Sequence, residues 1–126
     1  MNGKRLIPQL NNINELINLP RKFNSVINKS IYDLLKETGY FEIHDKISVE
    51  SIRNRLAQSP EYVEDWIPYS EDKRSSSVWH FKQEDSQRYA VGFLNGKGNN
   101  SHKEYADRLE ACAIFIKHEI DNIRTS

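Results

Sequence analysis

The sequence has one cysteine, Cys112, among its 126 residues. A single thiol cannot close an internal disulfide, and this one has no second cysteine or histidine at the spacing of a zinc site. Such cysteine usage fits a reducing compartment, so we expect a cytoplasmic protein. Cys112 stands on an apolar helical stripe between two alanines, which favours a buried, unreactive core residue over a nucleophile.

Long apolar runs are also missing. No stretch approaches the roughly 20 apolar residues of a membrane-spanning helix, and Asn and Gln interrupt the N-terminus where a signal peptide would need an apolar run. We therefore expect no membrane partner. The 37% of apolar residues and 10% of aromatic residues are still enough for one core. They exclude a wholly disordered chain and predict a single domain over residues 1–126.

An excess of charge is absent as well, because 18 basic side chains balance 18 acidic ones. Nucleic-acid binding draws most of its affinity from basic side chains that neutralise phosphates, so no nucleic-acid partner is expected. The one marked local bias is acidic. Residues 46–72 carry six carboxylates (Glu50, Glu61, Glu64, Asp65, Glu71, Asp72) and three basic groups.

Apolar residues recur at three- and four-residue spacings through the first half of the chain, which predicts helices. The first helix is predicted over residues 8–19, where Pro20 stops it. A second is predicted to follow Pro20, with Phe23 and Ile27 on its apolar stripe and Gly39 as its terminator.

Three shorter features follow in the sequence. Residues 40–43 predict a turn or a short strand. Ser48 is expected to cap a third helix. Pro60 then opens a further helical turn, which Pro68 is expected to end.

In the second half the apolar period changes from near 3.6 to 2, which indicates strands. Residues 77–82 and 88–94 predict an antiparallel hairpin, and a third strand is expected near 40–47 or 102–106 because a lone hairpin is marginal. Asp107 should cap a long amphipathic helix. The sequence thus predicts an α+β fold with N-terminal helices, an antiparallel hairpin or small sheet, and a long C-terminal helix packed on the sheet.

The histidines His44, His80, His102 and His118 are the obvious candidates for catalysis, but none has the spacing of a metal site. His80 lies between two aromatics of a strand, where packing on the sheet or facing solvent is the commoner role. The loop at residues 95–99 (NGKGN) lacks the Ser or Thr that follows lysine in a phosphate-binding loop. We therefore expect no catalytic residue, no metal site and no cofactor.

The segment at residues 61–72 mixes carboxylates with aromatic side chains. Aromatics supply contact area in protein interfaces, and carboxylates steer a basic partner. A solvated acidic surface is the alternative, as is a core position for the tryptophan. Arg74, just beyond, is expected to anchor a neighbouring carboxylate. The predicted partner-contact residues are Glu61, Glu64, Asp65, Trp66, Tyr69, Glu71 and Asp72.

Two segments resemble a family of small bacterial domains. One runs from Trp66 to Phe81 (WIPYSEDKRSSSVWHF), and the other from Arg108 to Lys117 (RLEACAIFIK). Both are similar to segments of immunity proteins that accompany polymorphic or contact-dependent toxins, and the similarity covers about the last 60 residues. Val78 departs from the pattern, since glycine is expected before the aromatic pair.

The resemblance implies an antidote without enzymatic activity. Such a protein binds a cognate toxin domain in the cytoplasm of the producing cell and blocks its active site or its approach to substrate. Many of these toxins are nucleases with basic surfaces, which an acidic and aromatic surface would complement.

Two other functions stay open from the sequence. The chain could be a small cytosolic adaptor or regulatory domain that binds a peptide or protein along an exposed edge of the hairpin. It could also be a hydrolase in which His80 works with an Asp or Glu across a cleft. The sequence leaves the oligomeric state open.

Overall fold

The structure is a computed structural model that describes residues 11–71, 78–94 and 101–125. Within these ranges it confirms the predicted α+β fold, with helices and a three-stranded antiparallel sheet. The elements are α1 (residues 11–17), α2 (Leu19–Ser25), α3 (Ile31–Glu37), α4 (Tyr40–Ile43), α5 (Val49–Gln58), α6 (Val63–Glu71), β1 (Val78–Asp85), β2 (Arg88–Leu94), β3 (Ser101–Tyr105) and α7 (Arg108–Arg124).

The predicted second helix is interrupted, so the expectation of one helix up to Gly39 is wrong. Helix α2 ends at Ser25, and α3 begins only after Ser30, whose side chain accepts a hydrogen bond from the Asp33 N–H. Apolar side chains that were expected on a buried stripe are exposed, since Ile27 in the break is 84% exposed and Phe23 of α2 is 40% exposed. Residues 8–10 of the predicted first helix lie outside the described residues.

Gly39 marks the end of α3, as the sequence predicted. Its φ of 83° is left-handed, and a Cβ there would lie 2.9 Å from the Asn12 side chain. Glycine accepts this conformation without the penalty that other residues incur. The residues after it were expected to form a turn or a short strand, but they form the helical turn α4, which buries Tyr40.

Ser48 caps α5 as predicted. Its hydroxyl accepts a hydrogen bond from the Ser51 N–H, and the Ser51 hydroxyl accepts one from the Ser48 N–H, which forms a capping box. Ile52 and Leu56 then face the core. The start of α5 is therefore set by the capping residues themselves.

Helix α6 runs through Pro68, which was expected to end it. Proline inside a helix removes one hydrogen bond and disfavours the preceding turn. Here the residues on both sides are held by packing, because Trp66 and Ser70 are buried while Pro68 faces solvent. Tertiary contacts thus override a local stop signal.

The sheet has the order β1–β2–β3. The predicted hairpin is confirmed, with β1 reaching Asp85 and only two residues between it and β2. The third strand is the one expected near residues 102–106, and Lys103 pairs with Val91 of β2. This register places Trp79, Phe81, Val91, Lys103 and Tyr105 on one face, which we call the inner face.

Helix α7 packs on the inner face, as predicted. Its N-cap Asp107 accepts hydrogen bonds from the Leu109 and Glu110 N–H groups, and its side chain also accepts one from Arg53 of α5 at 3.1 Å. The Phe115 ring lies 5.8 Å from Phe81 and 6.0 Å from Trp66, so α7 joins the sheet to the helices. None of the described helices is long and apolar enough to cross a membrane.

Candidate functional site

The acidic segment presents its carboxylates along one line of the surface. Glu61 lies in a 3-10 turn before α6, and Glu64, Pro68 and Glu71 follow at spacings of three, four and three residues. All four are exposed, and Glu64, Pro68 and Glu71 share one face of α6 because of their three- and four-residue spacing. Asp65 lies beside them and is partly exposed. We call Glu61, Glu64, Asp65 and Glu71 the acidic stripe.

Two arginines from elsewhere in the chain contact the acidic stripe. Arg21 of α2 donates to Asp65 at 2.6 Å and lies over the Tyr62 ring at 4.4 Å. Arg108 of α7 donates to Glu64 at 2.8 Å. These exposed pairs contribute little to stability, but they halve the local charge from four negative groups to a net of two.

Among the described residues, nothing compensates the charge of Glu61 and Glu71 in the acidic stripe. Both are exposed, and neither forms an ion pair with any residue that the structure describes. They are therefore the carboxylates most available to a basic partner.

The aromatic members of the predicted contact set have other roles. Trp66 is fully buried and donates its indole N–H to the Ile17 carbonyl oxygen at 3.0 Å, so its side chain is not available to a partner and belongs to the core. Tyr69 is partly buried and donates its hydroxyl to Glu119 at 2.7 Å. Burial, and the Glu119 carboxylate beside it, raise the pKa of Tyr69 far above its usual range. Asp72 and Arg74 lie outside the described residues.

Cys112 is fully buried in α7, as predicted. Burial raises the pKa of its thiol well above the ordinary value, and the thiolate is the reactive form. This environment suits packing and not nucleophilic attack.

His80 lies on the outer face of the sheet, opposite Gly92 of β2, which in turn is opposite His102. Partial burial lowers the pKa of His80, with a smaller effect from His102. No hydrogen bond or ion pair joins His80 to a carboxylate within the described ranges. The hydrogen bond between His80 and a carboxylate that the hydrolase hypothesis requires is therefore not formed among the described residues.

A partly buried polar cluster joins α4 to α7. Lys117 donates to the Tyr40 hydroxyl at 2.7 Å and to the His44 carbonyl oxygen at 2.8 Å, and the Tyr40 hydroxyl donates to Asp121. Burial lowers the pKa of Lys117, and burial with the Asp121 hydrogen bond raises that of Tyr40 far above its usual range. Because Tyr40 is fully buried, we interpret the cluster as a structural link.

A cavity of about 270 Å³ lies between the sheet and α7, on the side of β3. The His118 ring forms part of its wall and stacks on Trp79 at 3.8 Å and 4°. Partial burial lowers the pKa of His118. The lining residues are Trp79, Val91, Gly92, His102, Lys103, Tyr105, Ile114 and His118.

Among the residues that the structure covers, no group of three or more His, Cys, Asp or Glu side chains could hold a metal ion. Comparison of the chain with protein-family models, with curated proteins and with solved structures gives no significant match.

Proposed function

We propose that this chain is an immunity protein, which binds a cognate toxin domain in the cytoplasm of the producing cell and neutralises it by contact. The observation that carries the proposal is the acidic stripe, a row of exposed and partly exposed carboxylates on α6 and on the 3-10 turn before it. A row of side chains that carry the same charge raises the rate of encounter with a surface of the opposite charge. The toxin is therefore expected to present a basic surface, as a nuclease does.

Under this proposal, the four carboxylates of the acidic stripe would contact the toxin in different ways. Glu61 and Glu71 lack an ion pair within the described part of the chain and would meet basic groups of the partner directly. Glu64 and Asp65 are oriented by Arg108 and Arg21 and would have to exchange those partners or share them. Charged groups of this kind determine association rate and specificity more than they determine affinity.

Co-expression with the polypeptide encoded beside this chain in its genome tests the proposal. That polypeptide should stop growth when expressed alone, the chain should restore growth, and a complex of the two should survive purification at moderate salt. A neighbouring polypeptide that is harmless, or a toxic one that this chain neither binds nor neutralises, would contradict the proposal.

A pair of charge reversals tests the surface itself. We expect the double variant Glu61→Lys and Glu71→Lys to associate with the toxin at least about tenfold more slowly than the unchanged chain does at low salt. The reason is that electrostatic steering depends on charge. The control is Glu15→Lys with Glu42→Lys, which reverses two exposed carboxylates away from the acidic stripe. Both variants change net charge equally, so equal effects would show that the acidic stripe is not the contact surface.

A further inference from the structure

The two edges of the sheet differ in whether another element covers them. The outer edge of β1 is closed by α6, where the Ser70 hydroxyl accepts a hydrogen bond from the Phe81 N–H at 2.8 Å. The outer edge of β3 has no such cover among the described residues. An uncovered edge strand presents free N–H and C=O groups to any extended chain.

The register identifies these free groups. Because the Phe81 N–H points away from β2, its partner Val91 must direct its own backbone groups to the other side, toward Lys103 of β3. Backbone groups alternate in direction along a strand. His102 and Glu104 therefore direct their N–H and C=O groups outward, which leaves two donors and two acceptors in register.

The 270 Å³ cavity lies directly beside this edge. Helix α7 packs over β1 through Phe115 and His118. Residues of β3 and of α7 line the cavity, so these two elements form the walls of a groove. The floor is apolar and aromatic, with Val91, Tyr105 and Ile114, and Lys103 stands at the rim on the inner face. A strand added to β3 would direct alternate side chains into this groove.

We propose that β3 and α7 form a docking groove for an extended segment of a partner polypeptide, which adds to the sheet as a fourth strand. The outward groups of His102 and Glu104 pair with its backbone. One apolar side chain of the segment enters the cavity, and a carboxylate beside it pairs with Lys103. This is peptide recognition by strand addition, in which the backbone supplies affinity and a side-chain pocket supplies specificity.

The position of Lys103 favours a foreign segment over a second copy of this chain. The antiparallel register that pairs His102 of one copy with Glu104 of another places the two Lys103 side chains opposite each other. Like charges at this position destabilise strand pairing, and inward-facing lysine on an edge strand is a known safeguard against self-association. Lys103 is exposed and has no ion-pair partner in the described structure. A carboxylate of the bound segment could therefore form an ion pair with it.

The groove does not depend on the immunity function. Helix α6, which carries the acidic stripe, lies against the β1 edge, whereas the groove lies at the β3 edge. A partner bound at the acidic stripe is expected to be basic, and a segment bound at the groove is expected to be acidic. Failure of one proposal therefore leaves the other standing.

Phage display supplies the peptide probe. A library of random decapeptides is selected for binding to the full chain. We expect enriched peptides to combine an apolar residue with a nearby Asp or Glu. A synthetic peptide of the enriched sequence should then slow hydrogen exchange of the His102 and Glu104 amides, while the Lys103 amide, already paired with β2, should change little. No enrichment, or protection at other amides, would overturn the proposal.

Two variant pairs test the backbone and the charge separately. His102→Pro removes the outward N–H and should weaken peptide binding by about tenfold or more, whereas His102→Ala keeps it and should change affinity by less than about threefold. Lys103→Glu should weaken binding similarly, and Lys82→Glu, on the outer face of β1, should not. Equal affinities within each pair, or a dimer in sedimentation that His102→Pro abolishes, would overturn the proposal.

Discussion

Glu64 and Trp66 are two positions apart in α6, yet the first is exposed and the second fully buried. Residues at this separation point to nearly opposite sides of a helix. Treating the acidic and aromatic residues of the segment as one contact set was therefore wrong for Trp66. The carboxylates retain the predicted role as a proposal.

Tyr69 belongs with Trp66 on the structural side of the helix. In Tyr69→Phe, the Glu119 carboxylate, which is only 2% exposed, loses a hydrogen-bond donor. We expect a loss of about 1–3 kcal/mol in the free energy of unfolding, as for other buried polar groups that lose a partner. Urea denaturation measures it.

Tyr32→Phe is the matched control, because the Tyr32 hydroxyl is on a residue 39% exposed and forms no hydrogen bond in the described structure. It should change the free energy of unfolding by less than about 0.5 kcal/mol. A Tyr69→Phe protein as stable as the control would show that the hydrogen bond to Glu119 does not stabilise the fold.

Cys112 offers a second test at this scale. Because burial raises the pKa of its thiol, almost no thiolate forms near neutral pH. A thiol reagent such as iodoacetamide should modify the native protein only as fast as the chain opens, and the denatured protein within minutes. Rapid stoichiometric labelling of the native protein would show that the thiol is accessible.

At the scale of elements, the interruption between α2 and α3 and the persistence of α6 through Pro68 have one cause. Helices this short are marginal in isolation, so tertiary packing decides where they begin and end. Leu34 and Leu35 are buried in α3, whereas the residues of the break are mostly exposed. In the sequence, apolar residues recur at helical spacing through the break. In the structure, no core surface faces most residues of the break.

The contact between α6 and β1 can be tested with one hydroxyl. In Ser70→Ala, the buried Phe81 N–H at the covered edge of β1 loses its acceptor. We expect destabilisation of about 1–3 kcal/mol, measured by chemical denaturation. Ser86→Ala, in the exposed turn between β1 and β2, should cost less than about 0.5 kcal/mol. Equal destabilisation by the two substitutions would mean that Ser70 does not close the edge of β1.

At the scale of the whole molecule, one cluster of buried side chains extends from Ile13 to Ile123 and includes residues of helices and sheet. Phe115 contacts both Trp66 and Phe81. The helices therefore cannot separate from the sheet without exposing the same core residue. This arrangement favours the single domain that the length of the chain predicted.

We accordingly expect unfolding in one cooperative step. Transitions followed by far-ultraviolet circular dichroism, which reports the helices, and by tryptophan fluorescence should coincide within error. Separate midpoints for the two signals, or a plateau between them, would indicate that parts of the molecule unfold independently.

The amino-acid sequence alone determined the α+β class, the hairpin, the caps at Ser48 and Asp107 and the burial of Cys112. These depend on neighbouring residues, because apolar period and capping chemistry act over one or two turns. Only the tertiary structure decided that Trp66 is internal, that the helix after Pro20 is interrupted, and that one sheet edge is closed by Ser70 while the other borders a groove. Each of these depends on surfaces brought together from distant parts of the chain, which no local pattern records.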